Sequence, residues 1–97
     1  MRLHHIERLT ESVARLTAEF LGRQANSEGL VTVTGARLDR SGRSVTIFLS
    51  VYPIMVADKA LANTRILRQE LRDFLDERLR GNSLTHVDFA LDSRPRA

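Results

Sequence analysis

The segment Ser44-Val45-Thr46-Ile47-Phe48-Leu49-Ser50-Val51-Tyr52 alternates strictly, with Val45, Ile47, Leu49 and Val51 on one side and hydroxyl or aromatic residues on the other. A period of two specifies a strand with one face buried and one face open. Upstream, Leu30–Leu38 is rich in β-branched residues and is bounded by turn signals. Between the two lies Asp39-Arg40-Ser41-Gly42-Arg43, a polar turn in which Gly42 can take a positive φ. The spacing predicts a β-hairpin with one apolar face, which then needs a covering layer.

Helices supply that layer. From Ile6 to Leu21 the apolar residues Ile6, Leu9, Val13, Leu16 and Phe20 recur at steps of three and four, while Glu7, Arg8, Glu11, Arg15 and Glu19 take the wet side. Gly22 to Gly29 breaks the pattern and reads as a loop. After Pro53 and the short apolar stretch Ile54-Met55-Val56, a second helix is expected from Asp58 to Arg80. Thr64, Leu67, Leu71, Phe74, Leu75 and Arg78 lie near one of its faces, and Gly81-Asn82-Ser83 stops it. Thr85–Leu91 alternates again as a last strand, and residues 93–97 form a basic tail.

The order is helix, strand, strand, helix, strand. The expected fold is α+β, with two helices packed on one face of a three-stranded sheet. At 97 residues the chain has room for one core, so residues 1–97 are read as a single domain. A hydrophobic share of 42% against 28% charged is that of a globular chain rather than a disordered one. No apolar run approaches a membrane span and the N-terminus lacks a secretory pattern, so a cytoplasmic protein with no membrane partner is expected. The chain has no cysteine, which rules out a disulfide framework, a thiol nucleophile and a cysteine-type zinc site.

Catalytic chemistry finds little footing. His4 and His5 are adjacent, so on a helix they diverge by about 100° and chelate one ion poorly. His86 and Asp88 share a strand face but have no third partner in sequence, and they read as ordinary strand residues. Glu70, Asp73, Asp76 and Glu77 stand beside basic residues at spacings that suit solvated ion pairs. There is no phosphate-binding glycine loop, nucleophile elbow or zinc motif. The chain is therefore read as non-enzymatic, without metal, cofactor or small-molecule substrate.

Charge is more telling. The net charge is +3, yet Lys59 is the sole lysine among 15 basic residues. Arginine offers a planar fork that grips phosphate bidentately. Codon usage in a genome rich in G and C also raises arginine, so position matters more than number. On the second helix Arg65, Arg68 and Arg72 fall along one flank of the apolar face, and Glu70, Asp73 and Glu77 along the other. Arg40 and Arg43 bracket the hairpin turn, and Arg80 closes the helix. These six are the candidate nucleic-acid-binding residues.

Several segments taken in order resemble the ribosome-binding factor A family. Gly29-Leu30-Val31-Thr32-Val33-Thr34, Arg37-Leu38-Asp39, Val45 and Ser50-Val51 are similar to its hairpin. Ala60-Leu61, Ile66-Leu67-Arg68 and Leu71 resemble its second helix, Phe89-Ala90-Leu91-Asp92 its closing strand, and Arg8, Val13 and Leu16 its first helix. The resemblance implies a type II KH-like fold without enzymatic activity. It also implies binding to the small ribosomal subunit during late maturation, with rRNA contacts near the decoding region, made by the second helix and nearby basic loops, and assistance to growth in the cold.

Two departures accompany it. Where the family carries an Ala-x-Gly kink before its Leu-Arg pair, this chain has Asn63-Thr64-Arg65, so the helix is expected to be continuous. The stretch from Arg68 to the last strand is also about one helical turn longer. The partner expected is small-subunit rRNA, bound by a monomer. The alternatives are another KH-like RNA-binding role outside ribosome assembly and a protein-interaction module using a sheet edge.

Overall fold

A computed structural model describes residues 2–24, 29–79 and 84–92, with side chains from residue 5 onward. The elements are α1 (Arg2–Gly22), β1 (Leu30–Leu38), β2 (Ser44–Tyr52), a 3-10 turn (Ile54–Val56), α2 (Ala57–Arg65), α3 (Arg68–Arg78) and β3 (His86–Leu91). The sheet order is β1-β2-β3, with β1 antiparallel and β3 parallel to β2. The helices cover one face, giving the expected KH-like α+β architecture.

Alternation in β2 becomes burial as the sequence predicts: Val45, Ile47, Leu49 and Val51 are buried, and the residues between them are more open. Leu9, Val13, Leu16 and Phe20 of α1, Leu71 and Leu75 of α3, and Val87 and Phe89 of β3 complete the main core. Ala57 and Ala60 are buried beside Val51, small side chains that let the first turns of α2 lie close to the sheet. Ile6 is half-buried at the start of the α1 stripe.

In the hairpin, Val31 pairs with Val51 and Val33 with Leu49, while Ala36 pairs with Ile47 and Leu38 with Val45. The register shifts at Thr34, a bulge that keeps inward residues inward on both sides of it. Thr34 is thereby aimed across β2, and its hydroxyl donates to Asp92 Oδ2 at 2.7 Å. At the turn, Gly42 has a φ of 72°. There Asp39 Oδ1 accepts from the Ser41 hydroxyl at 2.8 Å and from the N–H groups of Arg43 and Ser44 at 3.2 and 3.3 Å. A short aspartate side chain thus stands in for a missing rung of the ladder.

The structure corrects the sequence at the second helix. Instead of one helix from Asp58 to Arg80 there are two, interrupted at Ile66 and Leu67, and α3 ends at Arg78. The Leu67 N–H donates to Thr64 O at 2.9 Å, a tightened turn, and the Thr64 hydroxyl back-bonds to Ala60 O at 2.8 Å. Buried positions Ala57, Ala60, Thr64, Leu71 and Leu75 stay in phase across the interruption. Hydrophobic periodicity therefore carries no trace of it. What marks the break is tertiary: Arg65, at the end of α2, is bonded to β3. A kink exists here without the Ala-x-Gly sequence.

Candidate nucleic-acid interface

β3 is an edge strand, and its free side determines what the arginines do. The N–H groups of His86 and Asp92 point toward β2 and donate to Arg43 O and Leu49 O. By alternation the N–H and C=O of Phe89 face outward, where an unpaired edge invites association. Both are taken by side chains. The Phe89 N–H donates to Asp88 Oδ1 at 2.8 Å, and Arg65 Nη2 donates to Phe89 O at 3.0 Å. Arg65 Nε also donates to Asp88 Oδ1 at 3.1 Å, and Arg68 Nη1 to the same oxygen at 3.4 Å. One turn further on, Arg72 Nη1 donates to Thr85 O at 3.4 Å. Arg65, Arg68 and Arg72 run along one flank, as their spacing predicts, and that flank overlies the β3 edge.

The hairpin turn meets the same place. Arg43 O accepts from the N–H groups of Thr85 and His86 at 2.8 and 3.3 Å. The turn bearing Arg40 and Arg43 and the α3 residue Arg72 thus converge on Thr85. Arg40 and Arg43 are exposed, and among the described residues their guanidinium groups have no partner. Arg68, Gln69, Arg72, Thr85, His86 and Val87 line a small cleft of about 220 Å³ between α3 and β3. The Arg72 Nε lies buried there, with no acceptor among the described residues. Arg80, the sixth candidate, lies outside the described residues, as do the tail arginines.

The remaining arginines divide by environment. Arg78 stacks over Phe74 at 4.3 Å and reaches Glu19 at 3.7 Å, and Arg23, paired with Glu19 at 3.0 Å, lies over the same ring at 6.0 Å. The Arg78–Glu19 pair and the Arg23–Phe74 contact tie α1 to α3. Arg37 lies over the Phe48 ring at 5.4 Å on the open face of the sheet, a stacked pair that sequence reasoning missed because the partners sit on different strands. Of the pair His86 and Asp88, Asp88 is engaged by two arginines and His86 is exposed beside it. Among the described residues no three His, Asp or Glu side chains gather as metal ligands.

No protein-family model and no curated protein matches the chain. Its fold does match a solved structure, ribosome-binding factor A from Thermus thermophilus, with a TM-score of 0.79 and 21% identity over 89% of this chain and 94% of that one. The fold is that of ribosome-binding factor A.

On this ribosome-binding factor A fold, charge is concentrated where β3, α3 and the hairpin turn meet. Burial acts to raise the Asp88 carboxyl, but the Phe89 N–H and the guanidinium groups of Arg65 and Arg68 outweigh it and hold the carboxyl below the usual carboxylate value. Asp39 is lowered too, first by the Ser41 hydroxyl and then by the N–H groups of the turn. A second concavity, of about 640 Å³, opens between the end of α1, the start of β1 and the α2–α3 break. Leu21, Val33 and Leu67 line it, with the exposed Leu30 and Ile66 at its rim. Tyr52, Ile54 and Met55 are also exposed, at the end of β2 away from the turn. No helix among the described residues is long and apolar enough to cross a membrane.

Proposed function

We propose that the chain is a non-enzymatic factor that binds the small ribosomal subunit through its rRNA during late maturation. The observation that carries this is the meeting, at Thr85 on a ribosome-binding factor A fold, of the hairpin turn that bears Arg40 and Arg43 with the α3 flank that bears Arg68 and Arg72. Arginines on one turn and one helix flank, partly free to donate, suit a phosphate backbone, which supplies affinity without needing a catalytic centre. The chain acts as a cytoplasmic monomer, with no cofactor. Arg40 and Arg43 bear the phosphate contacts most readily, since their guanidinium groups have no partner among the described residues. Arg65 and Arg68 are divided between RNA and Asp88.

Sedimentation tests the proposal. Tagged protein is expected to travel with free small subunits at low salt and to be lost steeply between about 50 and 200 mM, as released counterions require. Protein that stays at the top of a low-salt gradient refutes it. The groove beside Ile66 favours a second reading, a protein-interaction module. A partner retained after nuclease treatment is the outcome that reading requires.

A further inference from the structure

Asp88 Oδ1 sits where three donors converge: the Phe89 N–H at 2.8 Å, Arg65 Nε at 3.1 Å and Arg68 Nη1 at 3.4 Å. Two cationic forks and a backbone N–H around one anionic oxygen is an arrangement that proteins use for phosphate. Here the anion is the protein's own. The three side chains remain at the surface, with 43% of Arg65, 47% of Arg68 and 33% of Asp88 exposed. Ion pairs at that exposure are weak, so a polyanion anchored elsewhere on this face can replace the carboxylate at small cost. Arg68 also lines the cleft shared with Arg72, Thr85 and His86, so a chain of phosphates entering that cleft passes directly beside Asp88.

We propose that Asp88 is an internal stand-in for a phosphate: it holds Arg65 and Arg68 in an anion-binding geometry, and an RNA phosphate displaces it on binding. The residue then has two opposed effects. It orders the guanidinium groups before the ligand arrives, and its charge lowers the affinity of the face that it orders. Being tethered, Asp88 competes at high effective concentration. A lone anion therefore displaces it poorly, whereas a polyanion held simultaneously by Arg40, Arg43 and Arg72 displaces it well. The site discriminates by valency. The carboxyl stays ionised throughout the neutral range, so a competing anion rather than protonation opens the contact.

This rests on the RNA-binding reading, and two probes keep the two apart. Binding of a short fluorescent oligouridylate and of inorganic tripolyphosphate is measured for the native chain, Asp88→Asn and Asp58→Asn. The asparagine at position 88 keeps an oxygen for the Phe89 N–H and Arg65 while losing the charge. Asp58, exposed in the first turn of α2, controls for net charge alone. Thermal melting confirms that each variant is folded. Asp88→Asn is expected to bind both probes roughly fivefold more tightly, the effect of removing a unit charge a few ångströms from a phosphate in a water-like medium, and Asp58→Asn hardly at all. RNA binding by the native chain with no gain in Asp88→Asn overturns the proposal and leaves the RNA reading intact. A gain on tripolyphosphate with no RNA binding by any variant retains the anion site and overturns the RNA reading. No gain on either probe, or weaker binding, shows Asp88 to be structural and overturns the proposal.

Discussion

Replacing Arg65 with alanine removes two bonds that join the end of α2 to β3, from Nε to Asp88 at 3.1 Å and from Nη2 to Phe89 O at 3.0 Å. A hydrogen bond involving a charged group contributes about 1.5–3 kcal/mol when sheltered. The Arg65 side chain is 43% exposed, and water can reach the strand edge once it is gone. Discounting for that screening leaves a cost of about 1–2 kcal/mol for Arg65→Ala. Arg68 makes one contact with the same carboxylate, at 3.4 Å with 47% of the side chain exposed, and Arg68→Ala is expected to cost no more than about 0.5 kcal/mol. For a domain of this size 1 kcal/mol moves the Tm by about 4–8 °C, so the two variants separate cleanly. Urea unfolding followed by circular dichroism, with unchanged m-values, gives the free energies directly. Equal losses in the two variants, or a larger loss for Arg68→Ala, would show that the Arg65 contacts do not fix the α2–α3 break to β3.

Three further outcomes follow from the packing and the charges. Gly29 has a φ of 107°, and an added Cβ would stand 2.7 Å from Tyr52 O, so Gly29→Ala is expected to lower stability by about 1–3 kcal/mol in the same urea assay. Thr17 is fully buried and its hydroxyl has no partner among the described residues, so Thr17→Val should leave stability unchanged or raise it by about 1 kcal/mol; a clear loss would mean the hydroxyl has an acceptor in solution. The folded-state carboxyl of Asp88 is lowered, so its stabilising effect is complete above the unfolded value of about 3.9 and fades as pH falls through the folded one. The stability gap between the native chain and Asp88→Asn should therefore hold at neutral pH and close below about pH 4, and a gap independent of pH would contradict that origin.

The sheet and the first helix were legible because both are written in hydrophobic period. Val45 through Val51 and Leu9 through Phe20 each bury one face, and the structure places those faces together. The break at Ile66 and Leu67 was not legible, since the buried positions keep their phase through it and no glycine or proline marks it. The arginine flank was found from spacing, but its main partner was not. Asp88 lies 23 residues from Arg65 and 20 from Arg68, on an edge strand whose free carbonyl and N–H only the folded sheet reveals. The meeting of the hairpin turn with α3 at Thr85 was equally hidden, because it depends on β3 running parallel to β2. Spacing within one element can be read from a sequence, whereas a pairing between elements waits for the topology.

The proposed function requires this face to touch small-subunit RNA. Ultraviolet crosslinking of the protein bound to free small subunits, with the crosslinked residues mapped by mass spectrometry, tests it most directly. RNA adducts are expected in the hairpin turn around Arg40 and Arg43 and on α3 around Arg68 and Arg72, all lost when Arg40 and Arg43 are both changed to alanine. Crosslinks confined to the outer face of α1 around Arg8 and Arg15, or contacts to protein alone that survive nuclease, would contradict it.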